Sequence, residues 1–423
     1  MVCGLISLSL SMQAQTKGGG IDKQMMEKIT AGHSSTANRA LANAIATNSI
    51  DDLARNFKKA GKIDSHFSVE TTKQNIHDQK SSGRCWLFTG LNVLRSNFAS
   101  KHKDTLRVEF SHVYLSLHDQ LEKSNLMLQG VIDNANKPIE DLTVQFFFKH
   151  PINDGGTFCG VSDLVDKYGL VPMEAMPESY SAENTSRMAS IISSKLREFG
   201  LELRKMVANK KSAAAIKARK TEMLGDIYRI LTLSLGEPVK TFEYAFKDKN
   251  GNSVGKPKTY TPQSFRDEVM GNKLNGTFIM AMNDPRREYY KTYEVEYDRH
   301  TYDGHNWTFL NLPMEEIKQM AIASIKDSTR MYYSCDVGKF YDRKTGLLSM
   351  ENFDYEDLFN TTFPMNKAER IQTFASASSH AMTLCAVDLD KNGNPLKWKV
   401  ENSWGPTTGV AGHLVMTDKW FDE

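Results

Sequence analysis

The chain has 423 residues, 40% of them hydrophobic and 25% charged, with a formal net charge of +2. That length buries a large core and suits one large domain or two to three modest ones. The near-neutral balance says nothing in favour of nucleic acid, membrane or an acidic substrate, and basic pairs such as Lys210–Lys211 and Arg286–Arg287 read as solvated faces.

Taken in chain order, Val2 to Met12 is apolar or small and leads through Gln13-Ala14-Gln15 to a glycine run at Gly18–Gly20. The segment resembles the hydrophobic and cleavage regions of a secretory signal peptide, without its charged start. Residues 1–20 are therefore read as signal and linker. Such a signal makes the protein periplasmic or secreted; otherwise the location is cytoplasmic. The run is too short to span a bilayer, and no other uncharged segment reaches that length. From Gly20 to about Lys62, Met25, Met26, Ile29, Leu41, Ile45 and Leu53 recur at mostly helical spacings, whereas Asp64–Asp78 is polar and aperiodic, hence extended chain or loop. A strong helical pattern starts at Cys85 and runs through Leu87, Phe88, Leu91 and Leu94, with further helices near 110–123, 139–148 and 161–168.

Residues 186–234 are rich in Ala, Lys, Arg, Glu and Met, which suits long helices with one packed stripe. Thr241–Tyr302 turns strand-like, and Thr383–Val387, Lys397–Glu401 and His413–Thr417 are strand candidates. The division is 21–185 (helical, with the cysteine helix), 186–240 (helical insertion) and 241–423 (strand-rich). Period alone supports only an α+β fold.

Five scattered cysteines (Cys3, Cys85, Cys159, Cys335, Cys385) show no metal-ligand spacing, and their odd count favours free thiols. Of these, Cys85 stands out, in Gln79-Lys80-Ser81-Ser82-Gly83-Arg84-Cys85-Trp86. A cysteine among apolar neighbours is as readily a packed core thiol as a nucleophile. At a helix start, however, backbone N–H groups and the positive helix end favour the thiolate and lower its pKa. Gln79, six residues upstream across a Ser/Gly turn, can fold back as an oxyanion donor beside the Cys85 N–H. His77 reads as a surface loop residue, and His305 and His413 have no supporting pattern.

This stretch resembles the cysteine region of papain-like peptidases, and Ser82-Gly83-Arg84-Cys85-Trp86-Leu87-Phe88 resembles that of the bleomycin hydrolase and aminopeptidase C family. Ser378-Ser379-His380-Ala381 and Glu401-Asn402-Ser403-Trp404-Gly405 follow in the family's order. The resemblance implies a papain-like two-domain fold with large helical insertions, since Cys85 and His380 are 295 residues apart where ordinary papain-like enzymes separate the pair by about 130–150. It makes Cys85 the nucleophile, His380 the acid/base and Asn402 the orienter of its imidazole, with Trp404 shielding that bond. Asp154-Gly155-Gly156 resembles the glycine segment that walls the substrate cleft, where bare backbone pairs with an extended peptide. The implied activity is a cysteine-type aminopeptidase acting on peptides through a thioester, without metal or organic cofactor, assembled as a homo-hexamer. Family members continue past the Trp420-Phe421-Asp422-Glu423 region into an arm that anchors the substrate's amino group. The sequence given stops at Glu423, which keeps open an alternative, a papain-like endopeptidase or acyl-hydrolase with an open cleft.

Overall fold

The computed structural model describes residues 19–31, 36–59, 64–271 and 273–423. The signal-like segment and Cys3 lie outside them. The chain divides into two compact units, Met1–Asn56 with Phe353–Thr362, and Phe57–Asn352 with Phe363–Glu423. In the first, the described helices Lys23–Thr30, Thr36–Thr47 and Ile50–Ala54 precede a bridge from Arg55 to Phe353, and Tyr355 donates to Asp51 at 2.7 Å.

The second unit carries a helical side and a sheet side. At the centre of the helical side is the cysteine helix, Cys85–Lys101, whose residues are buried almost all round. That is the signature of a helix enclosed by others rather than lying on a surface. Gly90 makes this possible: a Cβ there would lie 2.6 Å from Val161, so only glycine lets the helix Phe158–Tyr168 approach so closely. The helix expected near 110–123 runs from His112 to Asp133, because Leu126, Met127, Leu128 and Val131 extend the buried stripe past the polar Ser124-Asn125. The helix expected near 139–148 is Leu142–Lys149, started by Asp141, which accepts from the Thr143 and Val144 N–H groups.

Residues 186–234 form two helices, Ser186–Ala208 and Ala213–Leu235, joined by a short turn. Their stripes (Ile192, Leu196, Phe199, Leu203; Ile216, Met223, Ile227, Leu231) are buried at spacings of three, four and seven residues, joining one core with the cysteine helix. The region 241–302 is less strand-like than its composition suggests. Phe242–Tyr244 pairs with Lys258–Tyr260, but Pro262–Met270 is a helix, opened by a Thr261–Ser264 capping box. A helix at Met314–Lys326 also escaped the periodic reading.

The sheet is built on His380–Leu389. Pro395–Glu401 pairs antiparallel on one side; on the other, Met331–Cys335 covers its first half and Val69–Glu70 its second. His413–Thr417 extends the sheet beyond Pro395–Glu401, followed by short strands at Leu347–Leu348 and Tyr341–Asp342. The hairpin at 390–394 closes locally: Asp390 accepts from the N–H groups of Asn392 and Asn394, and Gly393 takes the left-handed φ of 86°. Ala381 faces the helical core, whereas Met382, Leu384, Trp398 and Val400 pack with Ile325, Trp420 and Phe421 in a second core. His380–Leu389 is thus sandwiched, which brings its first residue to the start of the cysteine helix.

Candidate active site

Cys85 opens its helix behind Arg84, which makes no side-chain cap. Burial pushes the Cys85 thiol above its ordinary value, and the N–H groups of Ala381, Trp86 and Cys85 that face the sulfur offset part of that rise. The helix start acts in the expected direction, but enclosure outweighs it, so the expected lowering of the Cys85 pKa is corrected to a rise. Contact with the Ala381 N–H sets the sulfur one residue from His380.

His380 is buried, and its Nε2 lies 2.8 Å from Asn402 Oδ1. The same oxygen accepts the Ser403 N–H at 2.8 Å, which fixes the amide's orientation. An amide oxygen only accepts, so Nε2 carries the proton and Nδ1 is the basic nitrogen. Burial pulls the His380 pKa below its ordinary value, and the Asn402 bond restores part of it. The Trp404 ring stacks on the imidazole at 4.6 Å and 28°, covering this bond.

Gln79 is also buried. Its Nε2 donates to the Ser82 carbonyl, its Oε1 accepts from Ser403 Oγ at 2.6 Å, and its own N–H donates to the Ser403 carbonyl at 2.8 Å. The Gln79–Ser82 turn is therefore tied to the strand end that carries Asn402, and one Nε2 hydrogen is not used in these bonds. Arg84, 2% exposed, supports this turn from behind: it donates to Ser82 Oγ and bidentately to Glu178 at 2.8 and 3.2 Å.

The Asp154-Gly155-Gly156 segment lies beside Cys85, but not as bare backbone throughout. Asp154 is a brace: its carboxylate accepts from the Gly83 N–H at 3.1 Å and from Thr185, and its carbonyl accepts from Trp86 Nε1. The Gly155 carbonyl accepts from Lys123 at 2.7 Å, which uses one of its two lone pairs. Gly156 is required by what lies behind it: a Cβ there would sit 2.2 Å from the His300 ring and 2.8 Å from Trp86.

Reading the sequence missed the supporting residues. Glu401 is fully buried between Arg95 of the cysteine helix, at 2.8 Å, and Arg330. Arg95 also pairs with Glu109 at 2.6 Å, and Glu109 reaches His77 at 3.1 Å. His77 is consequently a packed residue, edge-on to Phe88 and His112, and not the surface loop residue expected. Charged side chains at apolar helix positions, Arg95 one residue after Leu94 above all, were the available signal. Their partners lie up to 306 residues away. His305 is exposed and bonds Asp163, and His413 bonds its own loop. Cys85, Cys159, Cys335 and Cys385 are free thiols.

Residues 20–423 match the Peptidase C1-like family. Aminopeptidase G of Lactobacillus delbrueckii subsp. lactis is 39% identical over 91% of this chain and 87% of its own. Bleomycin hydrolase of Homo sapiens is 40% identical over 82% of this chain and 78% of its own. The crystal structure of PepW from Lactobacillus rhamnosis superimposes with a TM-score of 0.89 at 35% identity, covering 96% of this chain and 90% of that one.

Proposed function

This chain belongs to the Peptidase C1-like family, and on that premise we propose that it is a cysteine-type aminopeptidase, releasing residues from the free amino end of peptides. Its fold is the papain-like α+β fold. The observation that carries the mechanism is the buried His380–Asn402 bond beside the start of the Cys85 helix.

Burial opposes charge on Cys85 and on His380 separately, so in this mechanism the thiol gives up its proton to Nδ1 as the attack proceeds. As Sγ bonds to the scissile carbonyl carbon, Nδ1 holds the former thiol proton. The carbonyl oxygen, now an oxyanion, takes the Cys85 N–H and the spare Gln79 Nε2 hydrogen. Collapse breaks the C–N bond, and Nδ1 returns its proton to the leaving amine, giving a thioester. Water, deprotonated by Nδ1, attacks that thioester; the released acid and the regenerated thiol complete the balance. Asn402 holds the ring so that Nδ1 faces sulfur throughout, and Trp404 keeps water off that bond.

Supporting the aminopeptidase reading are relatives named aminopeptidase G and aminopeptidase C over 90% or more of this chain. The family resemblance extends the proposal to a homo-hexamer and peptide substrates, which sedimentation and turnover measure directly. The export reading of residues 1–20 is tested by amino-terminal sequencing of the mature protein. Among the described residues, no helix is long and apolar enough to cross a membrane. For the chemistry, purified Cys85→Ala is assayed on aminoacyl amides with free and with acetylated amino ends. The expected result is no turnover by the variant, and wild-type turnover only of the free-amine set. Retained activity in the variant refutes the nucleophile; equal cleavage of acetylated peptides refutes the aminopeptidase.

A further inference from the structure

Three buried polar side chains stand behind the glycine wall, and the mechanism gives none of them a task. Asp119 and Lys123 lie one turn apart on the helix His112–Asp133, and both are buried. His300, also buried, comes from the loop between the strands Lys291–Val295 and Trp307–Asn311. Lys123 Nζ pairs with Asp119 Oδ2 at 2.9 Å, and His300 Nδ1 lies 2.5 Å from Asp119 Oδ1. One carboxylate thus holds both groups. Apolar residues of similar volume pack such a position about as stably as a buried ion pair does, so packing alone does not account for this one.

What the pair holds is the wall. Lys123 Nζ donates to the carbonyls of Asn153 and Gly155 at 2.9 and 2.7 Å, and Gln120 Nε2, from the same helix, joins it on the Asn153 carbonyl at 3.0 Å. The carbonyls on either side of Asp154 therefore converge on one ammonium. That ammonium also stands over the Trp86 ring, 5.4 Å from its centre. Trp86 follows Cys85 directly, its Nε1 donates to the Asp154 carbonyl, and the His300 ring packs on it at 4.4 Å. His300 fills the space that a Cβ on Gly156 or Gly160 would need. The wall is thus gripped from behind at 153, 155 and 156 by groups that also touch the residue after the nucleophile, while Asn153 and Gly155 themselves remain exposed. Glycine backbone supplies little stiffness of its own, so this grip fixes the shape of the wall.

We propose that Lys123, anchored by Asp119, is a positioning residue of the peptidase: its ammonium sets the Asn153–Gly155 backbone against which the amino-terminal residue of the bound peptide lies. The inference rests on the peptidase reading above. It concerns binding rather than bond breaking, because among the described residues neither Lys123 nor Asp119 bonds Cys85, His380 or Asn402.

The test is steady-state kinetics of wild type and Lys123→Met on a methionyl amide with a free amino end, beside the rate at which iodoacetamide, too small to need the wall, alkylates Cys85. A second variant, Lys123→Met with Asp119→Asn, removes both charges together so that no lone carboxylate stays buried. Lys123→Arg keeps a cationic donor. In both variants without the ammonium, KM rises roughly tenfold, the scale of a misplaced binding group. There kcat and the alkylation rate stay within about threefold of wild type, and Lys123→Arg recovers part of the loss in KM. Unchanged KM in the double variant overturns the proposal. So does a parallel fall in kcat and alkylation, or a double variant that does not fold, since each makes the ion pair a merely structural element. Wild type that leaves the amide uncleaved overturns the peptidase reading itself, a result distinct from all of these.

Discussion

Glu401 is the sharpest place to test how the two sides of the catalytic unit are held together. Its carboxylate is fully buried and answers two guanidiniums, Arg95 from the cysteine helix and Arg330 from the segment before Met331–Cys335. Glu401→Leu leaves the two arginines unequally placed. Arg95 keeps Glu109, whereas Arg330 keeps only the Thr71 hydroxyl and the Thr72 carbonyl while 2% exposed. Breaking a buried pair from one side costs about 3–5 kcal/mol, because an uncompensated charge stays inside. With an unfolding entropy near 2.1 cal/mol/K per residue, a unit of this size loses roughly 4–7 °C of thermal midpoint. The double change Glu401→Leu with Arg330→Met removes the stranded charge and recovers at least half of that loss. Scanning calorimetry at pH 7 on the single and double variants measures both quantities. If the double variant is as unstable as the single one, the stranded Arg330 is not the cause and the reasoning fails. If neither variant shifts, the network does not clamp the fold at all.

Gly156→Ala sets a methyl group 2.2 Å from His300, so kcat/KM falls roughly tenfold or more while Cys85 alkylation persists; a fully active variant shows that the wall yields freely. Asn402→Ala releases the His380 ring and lowers kcat roughly 10- to 100-fold with little change in KM, and a change confined to KM contradicts the orienting role. The acid limb of kcat/KM lies below the ordinary histidine value, since burial disfavours protonated His380; a limb at or above 6.5 refutes this. Stability against acid follows Glu109. Burial opposes its charge, but Arg95, His77 and Asn75 hold its pKa at about 2, against an ordinary 4.5. A depressed carboxylate contributes fully above its unfolded value and loses that contribution as pH falls through its folded one. The thermal midpoint therefore falls between about pH 4.5 and pH 2, and a flat midpoint across that window rules the pair out as a contributor.

By itself the sequence determined where the reactive groups stand and which elements carry them. The helix at Cys85, the paired helices of 186–234 and the strand His413–Thr417 follow from spacings within a few turns of chain, where local packing decides. The order of Cys85, His380 and Asn402 marked the family for the same reason: each motif is a short local signal. Tertiary structure decided whatever depends on partners distant in sequence. Arg95 was indistinguishable from a surface arginine until Glu401, 306 residues on, closed around it. His77 became a packed residue only through Glu109 and the Phe88 and His112 rings. Gly156 was legible as bare backbone for a peptide, whereas the His300 ring behind it is what forbids a side chain. The helices Pro262–Met270 and Met314–Lys326 were lost because each turns only a few apolar residues inward, too few to set a period against the surrounding aromatics. The protonation of Cys85 depended on enclosure as well as on its place in the helix. Enclosure is a property of the assembled core, and no local pattern encodes it.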